Sequence, residues 1–390
     1  MSDNNKRTVA LTGATGFLGS YLMASLLQKG YSIIVLGRRA KDETLNERIL
    51  RLLHWFGIDD LSNRVKSIET DLSQNDLGIN NEEYIRLCSS VDSVIHCASD
   101  TSFSENKREK VMAANIKNLK GILEFSKHSH ADSFCYISTA YVAGICDHIC
   151  KEELSVTKAF TNVYEESKAA AEHIISQFCR NNSISLSIIR PSIVYGDSQS
   201  GRSLKFNALY FPIRSAESIR EIYLNDLNNN GGKKAEKNGI YIDEEGYLFL
   251  PLKIYLPGEG DLNIIPVDYF INATLKIFEN CADGGIFHLT NSSPTSMKTV
   301  AKYYCQLMKV RGVEIIYGKQ TDNLSRNPAE ELFDRFIEPY RPYLSDNRVF
   351  DRTNTDVATD NMRPPEFTFE IFRKCMEYAI DVNWGASIFM

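Results

Sequence analysis

The chain has 390 residues, 43% of them apolar and 24% charged, with a formal net charge of −6. This is a globular composition, long enough for one large α/β domain and a smaller one. The acidic balance disfavours a nucleic-acid-binding surface, and no apolar run reaches the roughly 18 residues of a membrane span.

In chain order, the first half alternates short β-branched runs with longer helical stretches. Strands are expected at 8–11, 33–36, 65–69, 93–96, 133–137 and 186–189, and helices near 17–29, 44–56, 81–89, 108–128 and 161–180. Short strands separated by helices predict right-handed βαβ units and a parallel sheet covered on both faces. That is a Rossmann-type doubly wound α/β fold, whose ligand site lies at the carboxyl ends of the strands. A basic pair at 6–7 ahead of an apolar stretch has the look of a secretory signal. Gly13, Gly16 and Gly19 would break such a helix, so the stretch reads as strand, turn and helix, and the chain as cytoplasmic.

The pattern changes after Gly196. A polar insertion near 226–246 reads as a solvated loop or hairpin. Short strands are expected at 264–266 and 286–289, returning to the sheet or its edge, and from 299 onward the chain reads as helices and connectors. The nine cysteines include no Cys-x-x-Cys pair, which fits reduced, mostly buried thiols better than a zinc site. No metal is expected.

TGATGFLG follows the first expected strand directly. Gly13 allows a tight turn, Gly16 lets backbone approach a pyrophosphate, and Gly19 lets helix and strand pack closely. The helix N-terminus then offers N–H groups and a positive dipole end to phosphates. A glycine triplet alone is also a flexible turn; its place inside a βαβ unit is what favours a dinucleotide. At the end of the second strand, an acidic residue would hold a ribose 2′-hydroxyl. Arg38 and Arg39 stand there instead and suit a 2′-phosphate, which makes NADPH the expected cofactor. The plainer alternative is a solvated basic turn.

NVYEESKAAAE places Tyr164 and Lys168 four residues apart, on one face of a helix. A nearby ammonium stabilises phenolate and is expected to lower the tyrosine pKa into a useful range. In a chain with 19 tyrosines this pair alone is weak evidence. It gains weight from YISTAYVAG at the end of the fifth expected strand. There the hydroxyl of Thr139, or of its neighbour Ser138, is placed to bind a substrate carbonyl oxygen and the Tyr164 hydroxyl.

With TGATGFLG, YISTAYVAG, YEESK and RPSIVYG in this order and spacing, the first half of the chain resembles the extended short-chain dehydrogenase/reductase superfamily. The resemblance implies a Thr139–Tyr164–Lys168 triad, with Thr139 preferred over Ser138 by its offset from the tyrosine. It implies that Asn115, in AANIKNLKGIL, supports the lysine through water, although Asn118 stands where glycine is usual. Around the cofactor it implies Thr15, Phe17 and Leu18 in the glycine turn, Asp71 against adenine with Leu72 beside it, and then Ala98, Lys168 and Pro191.

A second layer is narrower. VDSVIHCASDTSFSE resembles the IxHxAAxxxF segment of thioester reductase domains and fatty acyl-CoA reductases. DLSQNDLGINNEEYIRL resembles their GDL…LGL stretch, and IIPVDYFINA at 264–273 their PVDYV segment. Ser99 and Thr70 replace the usual alanine and glycine. The resemblance implies NADPH-dependent reduction of an acyl thioester, on a carrier protein or coenzyme A, to an aldehyde, with a second hydride carrying it to the alcohol as a further option. Residues 1–199 are then the expected NADP-binding domain, its sheet completed within 262–290, and 200–390 the substrate-binding portion. The alternatives are a reductase or epimerase acting on a sugar nucleotide or small ketone, and a non-enzymatic dinucleotide sensor. Arg38 and Arg39 weigh against an NAD-recycling epimerase, and the presence of both Tyr164 and Lys168 weighs against a sensor.

Several residues carry plain readings beside sharp ones. His96 reads as packing rather than catalytic base. Phe103 reads equally as pocket wall or core. The aromatics in 206–214 and 247–257 read as core, or as the wall of an acyl channel. Lys233, Lys234 and Lys237 read as solvated, or as suited to an acidic carrier.

Overall fold

The computed structural model describes residues 7–60, 62–146, 149–318, 326–344 and 346–389. It divides into two compact units: Met1–Ser192 with Val267–Thr290 and Val349–Arg363, and Ile193–Pro266 with Asn291–Arg348 and Pro364–Met390.

The first unit is built on β1 (Thr8–Thr12), β2 (Ser32–Gly37), β3 (Val65–Glu69), β4 (Ser93–His96), β5 (Ser133–Ile137), β6 (Ser185–Pro191) and β7 (Gly285–Leu289). They form one parallel sheet in the order β7-β6-β5-β4-β1-β2-β3. The order reverses at β1, so the crevice of a doubly wound sheet opens between the ends of β1 and β4. Both faces are covered, which is why β4 is buried along its whole length with no polar alternation. The covering helices are α1 (Phe17–Gln28), α2 (Leu45–Trp55), α3 (Asn81–Cys88), α4 (Arg108–Met112), α5 (Leu119–His128) and α6 (Val163–Asn181). Several start where the sequence supplies a cap. Thr44 and Glu47 form a capping box on α2, Asn80 accepts from Glu83 N–H on α3, and Asn162 accepts from Glu165 N–H on α6.

One helix departs from expectation. The stretch 108–128 is broken: α4 ends at Met112, Ala113–Lys117 forms a π turn, and α5 resumes at Leu119. Turns of this kind collect at functional sites, and this one turns the Asn115 side chain into the interior.

Two later segments pack with this unit. β7 pairs with β6 from Gly285↔Ser187 to Leu289↔Pro191. The short helix Thr353–Ala358 is held by Glu152, whose buried carboxylate accepts from the N–H groups of His288 (2.7 Å) and Asn354 (2.5 Å) and from the Thr355 hydroxyl (2.5 Å).

The second unit packs the helices Tyr210–Asn229, Met297–Met308, Pro328–Ile337 and Phe369–Asp381 around the strand Leu248–Leu256. Phe206, Tyr210, Leu250 and Leu252 are buried in this core, the plainer of their two readings. Two expectations are corrected here. The polar insertion ends in the expected hairpin, Tyr241–Ile242 pairing antiparallel with Leu248–Phe249, but its first half is helical rather than a loop: Tyr210–Asn229 runs into it and Lys233–Lys237 adds a turn. That turn is seated by buried Ala235, whose N–H donates to Asp226 at 2.8 Å. The region after 299 is not all helix either, because Val310–Tyr317 is a strand parallel to Leu248–Leu256. Their pairing shifts register between Phe249 and Leu252, across Pro251, which cannot donate to a ladder. No helix among the described residues is long and apolar enough to cross a membrane.

Candidate active site

The chain turns sharply at Gly13, φ +74°, directly after β1. A Cβ at Gly13 would stand 2.6 Å from the Ala98 nitrogen, and one at Gly19 would stand 2.1 Å from the Gly13 carbonyl oxygen. Both positions are glycine because backbone approaches them. Gly16 differs: a Cβ there meets only the Gly13 carbonyl oxygen, at 3.1 Å, and its other surroundings are open. Gly16 is also the N-cap of α1, with no side-chain cap and no acidic residue in the first turn. An uncapped helix N-terminus beside open space fits a pyrophosphate. Thr15, Phe17 and Leu18 flank it, all partly exposed.

Thr12 and His96 face each other across β1 and β4. Thr12 Oγ1 lies 2.7 Å from His96 Nδ1 and accepts from Ala98 N–H at 3.2 Å. Burial, with Lys168 adding to it, lowers the His96 pKa to about 3, so the ring is neutral, and it stacks on Tyr136 with centroids 5.9 Å apart. His96 is a packing residue that fixes the Ala98 turn.

Arg38 and Arg39 emerge exposed from the end of β2. Arg39 sits 3.9 Å from Glu69, and the Arg38 carbonyl accepts from Arg48. Asp71, exposed after β3, accepts from the Ser73 hydroxyl (2.7 Å) and N–H (3.0 Å), which hold its carboxyl below the usual range. Leu72 packs beside it; its carbonyl oxygen would lie 2.4 Å from a Cβ at Gly121.

Thr139 follows β5 and is buried. Its hydroxyl donates to the Pro191 carbonyl at 3.5 Å, accepts from Tyr141 N–H at 3.3 Å, and bears on the Tyr164 phenol, whose pKa it draws down. Ser138 faces elsewhere and donates to Glu172 at 2.5 Å. Tyr164 opens α6, partly exposed, with its ring 5.9 Å from that of Phe103, which is a partly exposed neighbour of the site rather than core. Lys168 is 1% exposed; its Nζ donates to the Ile137 carbonyl at 2.6 Å and lies 4.2 Å above the Tyr136 ring.

The electrostatics correct one expectation. Lys168 does not lower the tyrosine: burial pushes the Tyr164 pKa up, the Cys97 sulfur adds to this, and the Thr139 hydroxyl only opposes it. The ammonium is committed to Ile137 and Tyr136 instead. Burial also lowers Lys168 to about 8, against the raising influence of Cys97 and Glu172. Asn115 is buried in the π turn. Its Oδ1 accepts from Asp100 N–H (2.8 Å) and the Ser99 hydroxyl (3.1 Å), and its Nδ2 donates to the Asp100 carbonyl and the Ser167 hydroxyl, both at 2.9 Å. These four bonds use the whole amide. Asn115 therefore reaches Ser167, the lysine's neighbour, directly.

Sequence reasoning missed Cys97 and Glu172. Cys97 bears electrostatically on Tyr164, Lys168 and Tyr136, and nothing in its local sequence marks it. Glu172 was legible as the next step of the four-residue spacing from Tyr164 to Lys168.

Comparison with known proteins agrees with this fold. The terminal R domain of the myxalamid PKS-NRPS pathway superposes with TM-score 0.75 at 20% identity, covering 97% of this chain and 92% of that one. An NAD complex of UDP-glucuronic acid 4-epimerase from Bacillus cereus gives TM-score 0.63 at 16% identity, over 96% and 99%. Fatty acyl-CoA reductase 2 of Homo sapiens is 27% identical over 224 residues, which are 48% of this chain and 43% of that protein. The chain thus spans less than half the length of the first curated relatives it matches. A family model for an NAD-binding domain, described as male sterility protein, matches residues 11–274. By this match across most of its length, the chain belongs to the NAD-binding male sterility protein family, an extended short-chain dehydrogenase/reductase group that includes fatty acyl-CoA reductases.

Proposed function

We propose that the chain reduces an acyl thioester, borne by a carrier protein or coenzyme A, to the aldehyde with NADPH. The observation that carries this reading is the meeting of Thr139, Tyr164 and Lys168. The Thr139 hydroxyl bears on the Tyr164 phenol, and Lys168 is anchored on Ile137 at the end of β5, in the unit that holds the glycine turn. The names of the relatives favour a thioester over a sugar nucleotide.

NADPH, when bound, supplies the hydride. The Gly13–Gly16–Gly19 turn with Thr15, Phe17 and Leu18 would hold its pyrophosphate, and Arg38 and Arg39 its 2′-phosphate. Asp71 and Leu72 would border the adenine, Ala98 and Pro191 would border the remainder, and Lys168 would hold ribose hydroxyls. Tyr164, kept protonated by burial, gives its proton to the thioester carbonyl oxygen as negative charge develops there. The Thr139 hydroxyl exchanges its long contact with Pro191 for a hydrogen bond to that same oxygen. The hemithioacetal so formed breaks its carbon–sulfur bond, and the thiol leaves with a proton as the aldehyde carbonyl forms. Asn115 steadies the Asp100 backbone and Ser167 beside this centre.

The test is NADPH oxidation with a panel of acyl-CoA and acyl-carrier thioesters, alongside the matching aldehydes, with thiol release followed in parallel. Thiol released in step with NADPH consumed is the expected result. One NADPH per thiol means reduction stops at aldehyde, and two mean alcohol. Aldehyde turnover without thiol release would reassign the chain to carbonyl reduction, and turnover of sugar nucleotides alone would reassign it to that class.

A further inference from the structure

Glu172 extends the Tyr164–Lys168 spacing by one more helical turn, so all three lie on one face of α6. Its carboxylate is 1% exposed and engaged on both oxygens. Oε1 accepts from the Ser138 hydroxyl at 2.5 Å and from Arg190 Nε at 3.0 Å, and Oε2 accepts from the Arg190 guanidinium at 2.6 Å. Ser138 immediately precedes Thr139. Arg190 immediately precedes Pro191, whose carbonyl accepts the Thr139 hydroxyl. The remaining Arg190 contacts go to the carbonyls of Lys151 (3.3 Å) and Glu153 (2.8 Å) and to the His288 ring (3.2 Å). One buried carboxylate therefore ties the helix bearing Tyr164 and Lys168 to the ends of both strands that frame Thr139.

Stability is a poor reason for such a pair. Desolvation offsets most of the attraction between two buried charges, and apolar side chains of the same volume hold a core as well. What the pair adds is direction, through hydrogen bonds of fixed geometry among three elements. Proton donation and oxyanion binding tolerate little displacement, so the supporting contacts decide whether a site works. We propose that Glu172 and Ser138 are positioning residues for the Thr139–Tyr164 pair: the carboxylate fixes the Thr139 strand end against α6. This rests on the reading of the site given above. Ser138 acts here through Glu172, to which its one hydroxyl hydrogen is committed.

The test compares Ser138→Ala, Glu172→Gln, their double variant, Ser138→Thr and Tyr164→Phe, reading kcat, KM, NADPH affinity and Tm. Ser138→Ala and Glu172→Gln are each expected to lower kcat by roughly tenfold to a hundredfold, with KM and NADPH affinity held within about twofold. The double variant should lose little beyond the worse single one, because both act through one contact. Ser138→Thr, which keeps the hydroxyl, should restore most of the kcat. Losses that multiply in the double variant would overturn the proposal. So would losses spread over kcat, KM and NADPH affinity in step with Tm, which mark a purely structural role. If Glu172→Gln does not fold, the Ser138 pair decides the question. Tyr164→Phe separates the two kinds of failure. Full activity there overturns the reading of the site and this role with it. A dead Tyr164→Phe beside fully active Ser138→Ala and Glu172→Gln overturns the positioning role alone.

Discussion

The Thr139 hydroxyl bears on the Tyr164 phenol although one follows a strand and the other opens a helix. Two hydroxyl donors are thereby brought together, and burial keeps the phenol protonated. Tyr164→Phe keeps the ring, and with it the contact to Phe103, while removing only the O–H. Its kcat should fall by roughly 10²- to 10⁴-fold, the usual worth of a positioned acid. NADPH affinity, followed by cofactor fluorescence, should hold. Wild-type turnover would remove Tyr164 from the chemistry.

Arg38 and Arg39 make a separable prediction, because they are exposed and far in function from proton transfer. The Arg39–Glu69 approach of 3.9 Å is a surface pair of little consequence for folding. The double variant Arg38→Ala, Arg39→Ala should keep its Tm and lose NADPH affinity by roughly tenfold to a hundredfold, as expected for charged hydrogen bonds to a phosphate. NADH affinity should barely change. Equal losses for both cofactors would show that the guanidiniums do not read the 2′-phosphate.

Lys168 sets a pH dependence with two opposite signs. Burial lowers its pKa to about 8 in the folded chain. If its charge holds the cofactor ribose, kcat/KM should fall as pH rises through about 8, because that ratio reports the free enzyme. Stability moves the other way. An unfolded lysine titrates near 10.4, so between about pH 8 and 10.4 the unfolded chain binds more protons, and this group's contribution to stability rises with pH. A kcat/KM profile flat from about pH 7 to 10 would show that the lysine charge is not used.

The Rossmann half was legible because its strands are short apolar runs between polar turns. β3, β4 and β5 start and end where the residue pattern puts them. The π turn at Ala113–Lys117 was not, since helical periodicity runs through it and only its partners Asp100 and Ser167 explain it. Val310–Tyr317 was missed because its pairing partner, Leu248–Leu256, is remote in sequence. In the site, two adjacent hydroxyls could not be told apart from residues alone. The structure separates them by their partners, Glu172 for Ser138 and the Pro191 carbonyl for Thr139. The direction of the Tyr164 shift escaped for the same kind of reason: spacing places the lysine on the right face, but only packing shows its ammonium turned to the Ile137 carbonyl.

Gly16 and Gly19 make contrasting predictions within one turn. At Gly19 an added Cβ would stand 2.1 Å from a backbone oxygen that cannot swing aside, so Gly19→Ala should fold poorly and show a lower Tm without any cofactor present. At Gly16 the nearest atom is that same oxygen at 3.1 Å, a tight contact with open space around it, so Gly16→Ala should keep the fold and lose far less apo Tm than Gly19→Ala. Its methyl would nonetheless occupy the side of the turn assigned to the pyrophosphate, beside the uncapped start of α1. NADPH binding and the Tm increase that NADPH gives should both weaken in Gly16→Ala. Thermal shift with and without NADPH, run on both variants, checks the pair at once. Undiminished NADPH affinity in Gly16→Ala would mean that the cofactor does not pass over this turn.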